Sequence, residues 1–280
     1  MSIILTADST CDLSPELVKK NGVVIMPLYT VLDSKSYRDG VDITPDEIYA
    51  FVKEKSMLPK TSAGSVDDYI TLFKKYVDDG NEVVHLSISS KMSSSYQNAC
   101  IAAGEIGNVY VVDTANISTG SGLLVLDAAD MVKEGLTAKE IAEKLNVNAR
   151  LVRASFVTDT LEYLHMGGRC SSVAALGANL LKIKPRIEVN DGAMGMGGKY
   201  RGQFEKVLAT YVKDVLSKDN IKLNRVFVTH TKCDTAVVQN VIEAVKNTLD
   251  FENVYETTAG CVITSHCGPN TLGVLFEVEN

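Results

Sequence analysis

The sequence predicts an α/β protein with a parallel sheet in its first half and a mixed sheet in its second. Three observations carry that prediction. Short Val/Ile-rich runs alternate with amphipathic stretches over the first 150 residues, as strands buried on both faces do. Helix-opening signals stand at the joins between them. Beyond residue 150 a hairpin signal, Asn190-Asp191-Gly192, interrupts the alternation and requires antiparallel pairing.

The elements follow in order. "IILTADS" reads as a short buried strand, and a helix opens at "SPEL" with Ser14 as N-cap and Pro15 at the first position. "VVIMPLYTVL" reads as a second apolar strand, and "SYRDGVDI" as an exposed excursion. Two capping boxes start helices, Thr44 with Glu47 and Ser65 with Asp68, the second helix ending near Gly80. "EVVHLSIS" and "VYVVDTA" are the third and fourth strands, flanking a helix with Tyr96, Ala99, Cys100 and Ala103 on one face. "TGSGLLVLDAADMVKEG" and "TAKEIAEKL" are further helices. In the second half, "RASFVTD" is a strand, "TLEYLHMGGR" a short helix closed by glycines, and "SSVAALGANLLKI" an apolar helix. After the hairpin come a helix from about Phe204 to Leu216, the strand "RVFVTH", a helix in "TAVVQNVIEAVKNTL", the strand "NVYETT" and a final pair around "SHCGPN". This order predicts two domains, residues 1–150 and 151–280.

Composition narrows the function classes. A formal net charge of −7 argues against general nucleic-acid binding. No apolar stretch reaches membrane-spanning length, since Asp127 and Asp130 break "LLVLDAADMV", so no stable membrane insertion is expected. "MSIILTADST" lacks the basic region and cleavage site of a signal peptide, and a cytoplasmic location is expected. The six cysteines are scattered with no C-x-x-C, which predicts reduced, mostly buried thiols. Cys261 and Cys267 with His266 between them are too widely spaced for an ordinary structural zinc site, so no metal is expected.

The stretch "SISSKMSSSY", residues 87–96, places six serines where a strand gives way to a helix. Free amides and the positive helix end favour an anion there, and serine hydroxyls add donors. One serine is accounted for as a helix cap; Ser93, Ser94 and Ser95 together point to a ligand. "KTSAGS" offers Thr61 and Ser62 just before a helix, though alone it would be an ordinary loop. His266, read as following a strand and preceding the Gly268-Pro269 turn, is a candidate donor to an anion. His85 reads as a satisfied core residue, and His165 and His230 fall near element ends. Arg169 follows Gly167-Gly168, where it either satisfies helix-end carbonyls or neutralises a ligand or a partner's phosphate.

The motifs "ADSTCDLSPEL", "TSAGS", "ISSKMSSSYQNA", "DTLEYLHMGGR", "LLKIKPRIEVNDGAMG" and "SHCGPNTLG" follow one another as in the DegV family. Together they span essentially the whole chain, which resembles the fatty-acid-binding subunits of bacterial fatty acid kinase. The resemblance implies a two-domain DegV-like fold, a parallel-sheet N-terminal domain plus a mixed-sheet C-terminal α/β domain. One long-chain fatty acid would be the ligand, with no cofactor, its carboxylate between the domains and its chain in the second. The protein would present the carboxyl group to a separate ATP-dependent kinase catalytic subunit, giving acyl phosphate for phospholipid synthesis, with no catalysis of its own. By the same resemblance Thr61, Ser93 and His266 would contact the carboxylate, with Ser62 and Ser94 close by. Arg169 would help dock the kinase, and Arg201 in "GKYRG" is expected to join it in a basic partner-facing patch. Two departures stand out: Ser93-Ser94-Ser95 where the family has Ser-Gly-Thr, and Gly268-Pro269-Asn270 where it has Gly-Pro-Gly. A side chain at 94 narrows the backbone approach, whereas asparagine tolerates positive φ.

Rival readings belong to other classes. A serine hydrolase using Ser93 and His266 lacks a G-x-S-x-G motif and an identifiable third member. A nucleotide-binding enzyme lacks both a Walker motif and G-x-G-x-x-G. A purely structural interaction protein would carry no lipid.

Overall fold

The apolar runs of the first half form one parallel sheet in the computed structural model, which describes residues 2–170, 183–217 and 220–279. In chain order the strands there are β1 (Ile3–Asp8), β2 (Val24–Met26), β3 (Tyr29–Leu32), β4 (Lys35–Arg38), β5 (Lys60–Ser62), β6 (Glu82–Ser87) and β7 (Val109–Asp113). The parallel sheet has the order β2-β1-β6-β7, with Thr6 opposite His85 and Leu86 opposite Val112. Its helices are α1 (Pro15–Lys20), α2 (Pro45–Lys55), α3 (Val66–Val77), α4 (Ser95–Ile106), α5 (Thr119–Lys133) and α6 (Ala138–Asn148). Successive strand residues face opposite sides. Val83 packs with Tyr69 and Phe73 of α3 and Ala99 and Ala102 of α4, while Val84 and Leu86 join Leu124 of α5 and Ile141 of α6. Both faces are covered, which is why β6 is buried at every position from Val83 to Ser87.

The run at residues 23–32 corrects the expected second strand. It breaks at Pro27, which has no N–H to give a ladder, and its second half leaves the parallel sheet. There β3 pairs with β4 and β5 in a separate antiparallel sheet of order β4-β3-β5. The excursion read in "SYRDGVDI" is therefore partly a hairpin strand, turned by Asp33 and Ser34, both at positive φ. Thr61 and Ser62, read as loop residues, lie on β5, where Thr61 is paired with Thr30. In α4 the buried positions are Ser95, Ala99 and Ala102, so Cys100 and Ala103 flank the packed stripe. His85 is fully buried, with Nδ1 2.9 Å from Thr6 Oγ1 and Nε2 3.4 Å from Asp8 Oδ1.

The second half holds β8 (Val152–Thr158), α7 (Glu162–Gly167), β9 (Lys184–Asn190), β10 (Ala193–Tyr200), α8 (Phe204–Leu216), β11 (Ile221–His230), α9 (Thr235–Thr248), β12 (Val254–Thr258), α10 (Cys261–Cys267) and β13 (Thr271–Val278). The sheet order is β10-β9-β8-β13-β11-β12, mixed because only β11 and β12 run parallel. The β9–β10 hairpin turns at Asp191-Gly192, both at positive φ, as the sequence signals. The apolar helix expected in "SSVAALGANLLKI" falls on residues outside the described ones, apart from Ile183.

The final pair around "SHCGPN" is a helix and a strand, α10 then β13. "CVITSHC" is rich in β-branched residues and reads locally as a strand; its helical state comes from tertiary contacts at its N-terminus. Helices α8 and α9 cover one face of the mixed sheet. The other face shares a core with the first half, where Ala154, Ile187 and Leu275 meet Leu123 and Leu124. Between the sheets lies α5, buried at every residue from Thr119 to Ala129 and in contact with β1, β6, β8 and β13. A helix so enclosed is largely apolar, and "LLVL" fits that place, while the buried Asp127 is paired with Arg225 at 3.4 Å.

Candidate functional site

At the carboxyl ends of β1 and β6, loops and helix ends enclose a cavity of about 240 Å³. Such edges collect ligands in open α/β sheets. Thr61 and Ser62 reach the cavity from β5, Ser93 and Ser94 from the turn into α4, His266 from the last turn of α10, and Arg169 from the segment after α7. Six of the seven residues singled out in the sequence therefore share one wall, although up to 205 positions separate them. The seventh, Arg201, does not line the cavity; it is exposed between β10 and α8.

Thr61 and His266 are joined directly, Oγ1 to Nε2 at 2.8 Å. Burial, with a smaller contribution from the Arg169 guanidinium, lowers the His266 pKa to about 4, so its ring is neutral at pH 7. The His266 Nδ1 atom is buried and has no hydrogen-bond partner among the described residues. The reason for Gly167 lies here: a Cβ at that position would stand 2.4 Å from Nδ1. Gly168 ends α7 at φ +68°, the left-handed conformation that glycine adopts most readily. Arg169 then folds back, its Nη1 donating to Gly167 O at 2.9 Å, while its side chain stays exposed on the cavity wall.

The serine cluster divides by function. Ser87 donates to the buried Asp8 at 2.7 Å, and Ser89 donates to Gly192 O at 2.6 Å, tying the loop to the β9–β10 turn. Ser93 Oγ accepts the Ser95 amide at 3.2 Å and lies 2.9 Å from Ser95 Oγ, so Ser93, just before the N-cap Ser94, satisfies the first amide of α4 and, half-buried, borders the cavity. Ser94 has φ −77°, ψ 0°, a conformation open to any residue, so its replacement of glycine costs no backbone strain. Asn270 takes φ +53°, within the range asparagine tolerates.

Ser93 and His266 share the cavity without pairing, since Ser93 Oγ engages Ser95 and His266 Nε2 engages Thr61. No carboxylate orients His266 Nδ1 among the described residues, so the arrangement of nucleophile, base and orienting group is not assembled. Among these residues no cluster of three His, Cys, Asp or Glu side chains could hold a metal, and no helix is long and apolar enough to cross a membrane.

Sequence reasoning missed the apolar part of the site. Leu28, Ile88, Met92 and Met194 complete the cavity wall, and Ile117, Ile263 and Cys267 are shared with a second, apolar cavity of about 40 Å³. That cavity lies against the mixed sheet, walled by Ala154, Phe156, Val189 and Leu275. Its threonines turn their hydroxyls to one another or to the backbone. Thr229 Oγ1 lies 2.5 Å from Thr119 Oγ1 and 3.0 Å from Thr257 Oγ1, and Thr271 Oγ1 donates to Cys267 O at 3.0 Å. With the hydroxyls occupied, the lining is apolar. Only the alternation of these strands hinted at it, and alternation alone does not say which face borders a cavity.

A polar cavity made by four distant segments thus shares part of its wall with an apolar cavity against the mixed sheet, and the chain as a whole has counterparts among known proteins. The family model DegV, described as "Uncharacterised protein, DegV family", matches residues 2–279. A DegV domain-containing protein of Caldanaerobacter subterraneus subsp. tengcongensis is 32% identical over 280 residues, covering 98% of each chain. A DegV family protein from Thermus thermophilus, whose structure is described by its fatty acid binding, superposes with a TM-score of 0.90 at 32% identity, covering 100% of both chains. A stearic acid-binding protein from Eubacterium ventriosum gives 0.86 at 32% identity, covering 99% of this chain and 98% of the other. The family model matches nearly the whole chain and the similarity to these relatives runs over its full length, so the chain belongs to the DegV family.

Proposed function

We propose that this protein binds one long-chain fatty acid, holding its carboxylate at Thr61, Ser93 and His266 and its acyl chain along the apolar cavity. The observation that carries this reading is the junction itself: the Thr61 and Ser93 hydroxyls and the His266 ring converge on a cavity that shares Ile117, Ile263 and Cys267 with an apolar one. Each buried methylene contributes about 0.8 kcal/mol, so the chain supplies most of the affinity. The carboxylate must leave water and gains less net, so its donors orient rather than hold. With the imidazole neutral, Nε2–H donates to Thr61 and frees the Thr61 hydroxyl to donate to the anion, beside Ser93. Ser62 and Ser94 stand at the rim. In this reading residues 1–150 form the domain that supplies the carboxylate loops and 151–280 the domain that holds the chain.

The protein, in the same reading, is a non-catalytic cytoplasmic subunit that presents the carboxylate to a separate ATP-dependent fatty acid kinase, giving acyl phosphate for phospholipid synthesis. Supporting this are the exposed Arg169 at the cavity wall and the second exposed arginine at 201. Native mass spectrometry of the purified protein, followed by lipid analysis after denaturation, tests the binding. One fatty acid per chain is expected, and a lipid-free protein that takes up none would overturn it. Charge reversal at Arg169 and Arg201 should weaken kinase-dependent phosphorylation and leave lipid content unchanged. Lipid loss in both variants would assign the arginines to the pocket or fold instead.

A further inference from the structure

His266 stands at one end of α10, and the other end of that helix is held by two buried aspartic side chains from the first half of the chain, of which Asp12 is pushed up by burial to a pKa of about 8. Asp39 Oδ1 accepts the Cys261 amide at 2.7 Å, and Asp12 Oδ1 accepts the Gly260 amide at 2.9 Å. Asp39 is 3% exposed and Asp12 6%, and no cation is paired with either among the described residues. Their other oxygens are bonded too: Ser9 Oγ donates to Asp39 Oδ2 at 2.9 Å, and Ser118 Oγ donates to Asp12 Oδ2 at 2.5 Å.

The chain is shaped around this clamp. Gly260 carries no side chain where a Cβ would lie 3.0 Å from both Asp39 oxygens. Asp12 and Ser118 both adopt positive φ, +50° and +55°, a strained choice for non-glycine residues that persists only where surroundings enforce it. Asp39 also shares Ser9 with Leu28, whose amide donates to Ser9 Oγ at 3.2 Å and whose side chain lines the head-group cavity. Seven residues of helix reach about 10 Å. A shift at the clamp is therefore passed along a rigid rod to the imidazole.

We propose that Asp39, seconded by Asp12, is a positioning residue for the head-group site: it fixes α10 against the first half and so sets His266 at hydrogen-bond distance from Thr61. This rests on the reading of that cavity as a carboxylate site. The prediction is one of discrimination between head groups. Asp39→Ala should weaken binding of a fatty acid about 10-fold while changing binding of the fatty alcohol of equal chain length less than about 2-fold. Asp39→Asn keeps one acceptor for the Cys261 amide and should fall between the alanine variant and the parent, and it serves if the alanine variant does not fold. Placed in a His266→Gln background, either substitution should cause no further loss of discrimination. Equal losses for acid and alcohol, or additive effects with His266→Gln, would overturn the proposal.

A second measurement needs no lipid. The chain has four histidines, so their imidazole nitrogen signals are few enough to assign. Those of His266 should change in ligand-free Asp39→Asn as the Thr61 contact loosens, and those of His165 should not. An unmoved His266 signal would overturn the positioning role even if the parent binds fatty acid. A parent that binds none, with the His266 signal shifted, would overturn the carboxylate reading and leave the clamp standing.

Discussion

The polar end of the cavity takes its side chains from loops, a short strand and helix ends around the parallel sheet, whereas the apolar end is walled by the face of the mixed sheet. The first is a set of donors that nothing in the local chain needs in full; the second is ordinary strand surface facing a gap. The difference teaches that the two ends should fail differently when altered. Damage to the donors should affect what head group is accepted, and damage to the wall should affect how long a chain fits.

The largest expected effect is at the donors. Ser93→Ala removes one hydroxyl with little change in volume, and a charge-assisted hydrogen bond is worth about 1.5 to 3 kcal/mol, so fatty-acid affinity should fall roughly 10- to 100-fold. Acyl-phosphate formation should fall further as the head group loses its orientation. Titration calorimetry with acid and alcohol of equal length checks the contrast, because the alcohol should lose much less. Equal losses would erase the distinction between the two ends.

At the wall, Ala154→Leu adds three carbons to the second cavity. Excluding three methylenes at about 0.8 kcal/mol each weakens a long-chain ligand about 50-fold. Here acid and alcohol should suffer alike, and a ligand shortened by a few carbons should regain most of the loss. A melting curve separates this from misfolding, since Ala154 also neighbours Gly120 of α5.

Ser89→Ala is the control within the same serine cluster, and it should matter less to lipid affinity than Ser93→Ala. Its hydroxyl is committed to Gly192 O, and removing it strands a buried carbonyl, at about 1–3 kcal/mol of stability. Denaturant unfolding should show that loss with affinity nearly unchanged. If Ser89→Ala abolishes binding and Ser93→Ala does not, the head-group serine has been misassigned.

The effect of pH is confined to stability in acid. Burial depresses the His266 pKa from 6.5 to about 4 in the folded protein. The unfolded chain therefore binds the extra proton first as pH falls. The stability linked to neutral His266 is complete above pH 6.5 and is lost progressively down to about pH 4, on the order of 1 kcal/mol per pH unit. His266→Gln should flatten the stability profile over that window.

The sequence made the donors visible because hydroxyls crowded at a strand-to-helix junction are locally unexplained. The same reading misjudged what carries them. Thr61 sits on a strand of three residues, too short to leave a period-two pattern, and His266 sits on a helix whose β-branched composition points the other way. Both conformations are decided by distant partners: Thr30 across the small sheet, and Asp12 and Asp39 at the N-terminus of α10. The run through Pro27 was read as one strand although proline stood in it, and which sheet its second half would join was not legible, since nothing local distinguishes a strand's partners. The apolar cavity was hidden for a simpler reason: Ala154, Phe156 and Leu275 look like core residues, and packing alone decides whether space is left between them.

A crystal structure of the lipid-loaded protein addresses the proposed binding most directly, because it locates both ends of the ligand at once. The account predicts one carboxylate oxygen about 3 Å from Ser93 Oγ, the other beside Thr61 and His266, and the chain passing Ile263 to lie against Phe156 and Leu275. A carboxylate lying against Phe156 and Leu275, or a chain lying outside the two cavities, would contradict it.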